Sequence, residues 1–178
     1  MPCDLTTGRT EPCKDSIGGI KNAFFLDYAE NAFTVASSAA TGIDASVTEV
    51  FKYELRSDTN NDATESMVSN KDAGTSVNTQ TVNLRLKKQD AATSNEIKLM
   101  AYARPIIVIQ DRNDVYKVFG LSEGMDLTGS NIQSGNARAD FNGYDLTFTS
   151  LEGDMGPILD AATVTALTTL VSNTNIDP

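Results

Sequence analysis

The sequence predicts a mainly β protein: an antiparallel β-sandwich or barrel with one flanking α-helix at about residues 90–104, a long protruding hairpin or loop at about 57–81, and a further helix pattern at the C-terminus. Three observations carry this. First, apolar and polar residues alternate with a period of two in several segments. Phe51, Tyr53 and Leu55 alternate with Lys52, Glu54 and Arg56; Tyr144, Leu146 and Phe148 alternate with Asp145, Thr147 and Thr149. Strands with one greasy and one polar face suit antiparallel sheets packed as a sandwich or closed as a barrel. Second, turn residues punctuate these segments, as in Asp111-Arg112-Asn113-Asp114 and Asn142-Gly143. Third, one stretch in the middle of the chain carries a clear helix start and stop.

In order, residues 1–17 form an extended arm with Pro2, Gly8, Pro12 and both cysteines, and few apolar groups to hold it. Ile20 to Tyr28 opens the strand series, with Ile20, Asn22, Phe24 and Leu26 on one face and Lys21, Ala23 and Phe25 on the other. Phe33–Val35 is a short strand, and Ser37–Asp44, small and polar, is expected as a loop. Val47–Arg56 follows as a strong strand. The helix at Asp90–Arg104 starts at either Asp90 or Thr93; Thr93-Ser94-Asn95-Glu96 fits a capping box, and Ile97, Met100 and Ala101 follow helical spacing. Pro105 ends it, because the residue before proline is pushed out of the helical region. Ile106–Gln110 is a buried β-branched strand with Val115–Leu121 as its hairpin partner. Met125–Ile132 and Ala137–Leu151 complete about eight strands. After Gly156-Pro157 the composition turns to Ala, Thr, Leu and Val; a helical stripe through Ile158, Leu159, Ala162, Ala166, Leu167 and Leu170 is weakened by its threonines. The chain is therefore divided into the arm at 1–17, a single sandwich domain at 18–155 and an extension at 156–178.

The segment Asn60–Lys88 is the unusual one. Glu65–Asn70 and a strand from Ser76 onward flank the turn Lys71-Asp72-Ala73-Gly74. Val82, Leu84 and Leu86 face one way, and Asn83, Arg85 and Lys87 the other. The half nearer the turn has almost no large apolar side chain. A strand without a greasy face has nothing with which to pack on its own core, so Asp62–Gln80 is expected either as a disordered loop or as a strand that orders only against a neighbouring molecule.

Chemistry is sparse. The chain has 178 residues, with 14 Lys and Arg against 24 Asp and Glu, and a formal net charge of -10. That charge opposes nucleic-acid binding of the usual basic kind. Histidine is absent, which removes the commonest general base and transition-metal ligand. Two cysteines alone do not complete a zinc site, and MPCDLTTGR does not read as a signal peptide, so both thiols are expected reduced. Lys14 beside Cys13 lowers a thiol pKa in principle, but nothing else in the arm supports a reactive site. Asp58, Asn60 and Asp62 match the start of a calcium loop; Ala63 stands where glycine is needed and Ser69 where glutamate is needed. No nucleotide loop, nucleophile elbow or triad is present. The expectation is a protein without cofactor, metal or enzymatic activity, and no apolar run long enough to span a membrane.

Three stretches together resemble the tail tube proteins of tailed bacteriophages, over about residues 3–155. They are the arm Cys3-Asp4-Leu5, Gly8-Arg9, Cys13-Lys14-Asp15 and Gly18-Gly19-Ile20; the strand Val82–Lys88 leading through the helix to Tyr102-Ala103-Arg104-Pro105; and Asn142–Thr149. The resemblance implies a virion protein, assembled in the host cytoplasm, whose copies form hexameric rings that stack into a hollow tube. Each copy would lend strands to a barrel lining a lumen, through which DNA passes at ejection without specific binding. Its partners would be itself and other tail proteins. Inter-subunit or lumen contacts are expected from Asp62, Glu65, Asn70, Asp72, Asn78 and Gln80, and arm contacts from Cys3, Asp4, Arg9 and Cys13. Asn83 also suits a wet wall, whereas Arg85, Lys87 and Lys88 are expected paired with acids or at an interface. The alternatives are another virion β-protein, such as a head–tail connector or capsid decoration protein, and a ligand-binding β-sandwich without enzymatic activity.

Overall fold

The computed structural model describes residues 7–57, 59–172 and 176. In chain order the elements are β1 (Ile20–Leu26), β2 (Phe33–Ala36), β3 (Ala39–Ile43), β4 (Phe51–Glu54), β5 (Asp62–Asn70), β6 (Thr75–Lys87), α1 (Ala91–Met100), β7 (Ile106–Asp111), β8 (Tyr116–Phe119), β9 (Asp126–Gln133), β10 (Gly143–Glu152), β11 (Ile158–Leu159) and α2 (Ala161–Thr169). They form a large seven-stranded sheet in the order β2-β3-β11-β8-β7-β1-β4 and a small four-stranded sheet in the order β5-β6-β10-β9. The two do not close into a barrel; they pack as a sandwich.

The period of two decides which side chains meet. In β6, Val82 and Leu84 point inward, and in β10 Tyr144, Leu146 and Phe148 do; all are at most 1 % exposed. They pack against Ala23, Phe25, Ile107, Ile109, Phe119 and Met125 of the large sheet and its connections. Phe25 links the layers, with its ring centroid 5.5 Å from Phe148 and 4.9 Å from Tyr53. The opposite face of the large sheet carries a second apolar cluster, Phe24, Leu26, Ile106, Val108 and Val118, together with Leu167 of α2. The large sheet is thus buried on both sides, which is why β7 reads as a continuous apolar run. Strict alternation fails at the start of β1: a register irregularity between Ile20 and Asn22 brings Ile20 to the inner cluster with Ala23 and Phe25.

Several expectations change. Among the described residues eleven strands form rather than eight. Residues 39–43, expected as loop, are β3, paired antiparallel with β2; Ser37 and Ser38 both take positive φ, 51° and 65°, the geometry of a tight two-residue hairpin turn. The strand expected at Val47–Arg56 shrinks to Phe51–Glu54, because Val50 instead bridges to Val171. Asp90, not Thr93, caps α1: its carboxylate accepts from the Thr93 amide at 2.8 Å, so Thr93 sits inside the first turn and the helix ends at Met100, short of Arg104. Residues 157–171 are an integral part of the sandwich. Ile158–Leu159 enters the large sheet between β3 and β8 before α2 begins, capped by Asp160, which accepts from the Thr163 amide at 2.7 Å. Three threonines of α2 hydrogen-bond back to carbonyls of the preceding turn, Thr165 to Ala161 at 3.0 Å, Thr168 to Thr165 at 2.9 Å and Thr169 to Ala166 at 2.7 Å. That back-bonding satisfies these three hydroxyls within the helix, whereas the Thr163 hydroxyl is buried without a partner among the described residues.

Candidate assembly interface

The segment expected to order only against a neighbour is a regular hairpin within one chain. β5 pairs with β6 from Asp62 opposite Asn83 to Asn70 opposite Thr75. Asn70 fixes the turn, its side-chain oxygen accepting from the Asp72 and Ala73 amides at 3.0 and 3.1 Å. Asp72 is exposed at the tip.

What replaces the missing greasy face is a buried polar network. Asn78 and Gln80 continue the inward phase of Val82 and Leu84, and are 0 % and 2 % exposed. They meet Glu65, which stands opposite Gln80 in the register. One Glu65 oxygen accepts from Gln80 Nε2 at 2.8 Å, the Gly156 amide at 2.8 Å and Asn78 Nδ2 at 3.3 Å. The other is hydrogen-bonded and ion-paired to Lys117 of β8. Gln80 accepts in turn from the Gly120 amide at 2.8 Å. A second buried carboxylate, Glu152, holds the loop after β8 through the Ser122 and Glu123 amides, both at 3.1 Å. The hairpin is therefore fastened to the large sheet by charge-assisted hydrogen bonds rather than by apolar packing. The expectation that Glu65, Asn78 and Gln80 face a lumen or neighbour is corrected: within one chain all three point into the sandwich.

The face of the small sheet turned away from the sandwich is polar and lightly charged over most of its length, with exposed Val68, Val77 and Leu151 toward the β5–β6 turn. Thr64, Ser66, Thr79, Thr81, Asn83, Thr147 and Thr149 occupy the phase opposite to the core residues. Asp62 accepts from Asn83 Nδ2 at 3.2 Å, and Thr147 donates to Asn83 Oδ1 at 2.9 Å. Arg85 forms a two-pronged pair with Asp145, at 2.6 and 2.9 Å, and lies over the Phe141 ring at 4.3 Å. These bonds to Asp145 hold the guanidinium above its ordinary pKa, and the pair cancels its own charge on the face. Lys87 donates to the Arg56 carbonyl at 3.4 Å. Asp62 and Asn83 thus lie on this outward face, and Arg85 is paired with Asp145.

The small sheet is also open at both sides. Its edges, β5 and β9, are nine and eight residues long, against four residues each for the edges β2 and β4 of the large sheet. Neither long edge contains proline or lysine, two of the devices that block further pairing, although β9 carries a register irregularity at Thr128 and β5 the inward-pointing Glu65. Because all neighbours in the sheet are antiparallel, β5 and β9 run in opposite directions.

Of the arm residues, Arg9 and Cys13 are exposed, Cys13 as a free thiol; Cys3 and Asp4 lie outside the described residues. The arm is fixed at Ile17, whose amide donates to Asn113 at 2.9 Å and whose carbonyl accepts from it at 2.8 Å. Asp58 of the calcium pattern also lies outside the described residues, and Asp62 belongs to a strand rather than a loop. Among the described residues no group of three potential ligands could hold a metal ion, and no helix is long and apolar enough to cross a membrane. Lys117 and Gly156 went unnoticed in the sequence: each stands far along the chain from Glu65, and neither has a local pattern that marks it. No known protein family, curated protein or solved structure matches the chain.

Proposed function

We propose that the chain is a self-assembling structural protein of a phage tail tube, whose small sheets join edge to edge into a closed barrel around a DNA conduit. The observation that carries this is the pair of long, proline- and lysine-free, oppositely directed edges on the small sheet. In a ring, β5 of one copy would meet β9 of the next as an antiparallel pair, so the pattern would continue without a break. Such closure removes edges that otherwise template uncontrolled aggregation. The lumen wall would be the face bearing Thr81, Asn83, Thr147 and Thr149. Six copies would bring twenty-four strands. With strands ~4.8 Å apart and tilted ~40°, the barrel backbone would be roughly 48 Å across, wide enough to pass duplex DNA. A hydroxyl- and amide-lined wall whose arginine is neutralised offers phosphates little to bind, as a conduit requires.

The test is negative-stain electron microscopy of the purified chain, with and without a tail initiator. Rings or tubes are expected. A protein that stays monomeric at high concentration under both conditions refutes the reading. Other ring-forming virion proteins share the edge argument, and position in the particle separates them.

A further inference from the structure

Beyond the small sheet, the molecule gathers cations at one place. A cleft of about 420 Å³ opens at the free edge of β4, where β1, β4 and the β7–β8 turn converge. It is lined by Lys21, Lys52, Arg56 and Arg112 around the buried Asn22, with Glu54 as the single acid in its wall. Glu54 is shared between Lys52 at 3.0 Å and Arg56 at 3.8 Å. Lys21 reaches Asp114 at 3.1 Å. One carboxylate facing two cations leaves excess positive charge in the cleft. The side chain of Arg112 is held close by a bare backbone: Gly19 adopts φ +106°, and a Cβ there would lie 3.2 Å from Arg112 Nε. This concentration of cations stands out in a chain whose net charge is -10.

We propose that this cleft is an inter-subunit docking site that receives carboxylate side chains from a second copy of the chain. It rests on the self-assembly reading only for the identity of the partner. Charge complementarity argues for that partner. Lys52 and Arg56 outnumber the Glu54 they share, so the cleft keeps positive charge while the rest of each copy is strongly acidic. Outside the β5–β9 seam, two copies therefore meet most favourably where acids of one enter this cleft of the other. Contacts of this kind orient association and suppress wrong registers more than they add raw affinity. The cleft lies at the β4 edge of the large sheet, whereas the barrel seam would use the β5 and β9 edges of the small sheet.

The experiment compares wild-type protein with the Lys52→Glu/Arg56→Glu double variant by sedimentation velocity over a concentration series. It is run at about 0.1 M and about 1 M NaCl, where screening shortens from roughly 10 Å to roughly 3 Å. The thermal unfolding midpoint is the folding control. Wild-type self-association is expected to weaken about tenfold or more on charge reversal and to weaken with salt. If the double glutamate variant does not fold, Lys52→Gln/Arg56→Gln replaces it, with a smaller loss of the same sign. Unchanged association in the folded variant overturns the cleft proposal and leaves the tube reading standing if electron microscopy shows tubes. Association that the variant abolishes, but into particles that are not rings or tubes, supports the cleft and overturns the tube. No association of wild-type protein at any concentration overturns both.

Discussion

Glu65 is the position where the balance between charge, hydrogen bonding and packing is most exposed to experiment. Its side chain is 7 % exposed, and one oxygen takes three donors while the other faces Lys117. Replacing Glu65 by Ala removes all of these at once. Asn78 keeps a partner, since its amide also donates to the Asp154 carbonyl at 3.1 Å. Gln80 Nε2 and the Gly156 amide lose theirs. Each buried donor left unpaired costs about 1–3 kcal/mol, and Lys117, about one-third exposed, turns to water at little further cost. The expected loss is therefore about 3–5 kcal/mol, a large share of the roughly 5–15 kcal/mol that holds a typical domain together. Glu65→Gln keeps an acceptor in place and removes only the charge, so it should cost about 1–2 kcal/mol. Urea unfolding followed by far-ultraviolet circular dichroism reads both. A loss below about 1 kcal/mol for Glu65→Ala, or Gln and Ala variants of equal stability, would refute the argument that this network replaces the hairpin's apolar face.

Three further outcomes follow from specific contacts. Gly156→Ala puts a Cβ 2.0 Å from the Val118 carbonyl and 2.9 Å from Glu65 Oε1; backbone must shift, and a loss of about 2–3 kcal/mol in the same urea assay is expected. Phe148→Ala empties a side chain that is 0 % exposed between the sheets and should cost about 3–5 kcal/mol, checked by the same unfolding curve. The helix caps govern acid stability. Side-chain and then backbone hydrogen bonds from Thr93 hold Asp90 below its ordinary 3.8, and Thr163, whose amide donates to Asp160, holds that carboxylate down likewise. A depressed carboxylate stabilises the fold above the unfolded-state value and stops doing so as pH falls through the folded one. Stability should therefore drop below about pH 4, and the Asp90→Asn/Asp160→Asn variant should show a shallower drop across that window in a pH-resolved thermal melt. An unchanged slope would show that the caps do not set it.

The sequence by itself determined the class of the molecule. Alternation through Val82–Leu86 and Tyr144–Phe148 placed the core face of the small sheet without any tertiary information, because a strand's period of two is local geometry. Glycine, asparagine and aspartate likewise located the turn at 71–74 and the hairpin at 111–114. Carrying the same period two steps back from Val82 would have put Gln80 and Asn78 on the core side. Their polarity argued against it, since a polar residue is buried only when its partners are assured. Those partners are Glu65, 13 and 15 positions away across the hairpin, Gly120 at 40 and Asp154 at 76, and no local pattern announces them. The same holds for β11: two residues join the large sheet only because β3 and β8 leave a gap there, and α2 then lies over the second apolar cluster. What the tertiary structure alone decided was which polar residues are buried, which strands become edges and where the cations converge. Each of these depends on chain segments brought together from a distance, whereas side-chain alternation, caps and turns depend on residues a few positions apart.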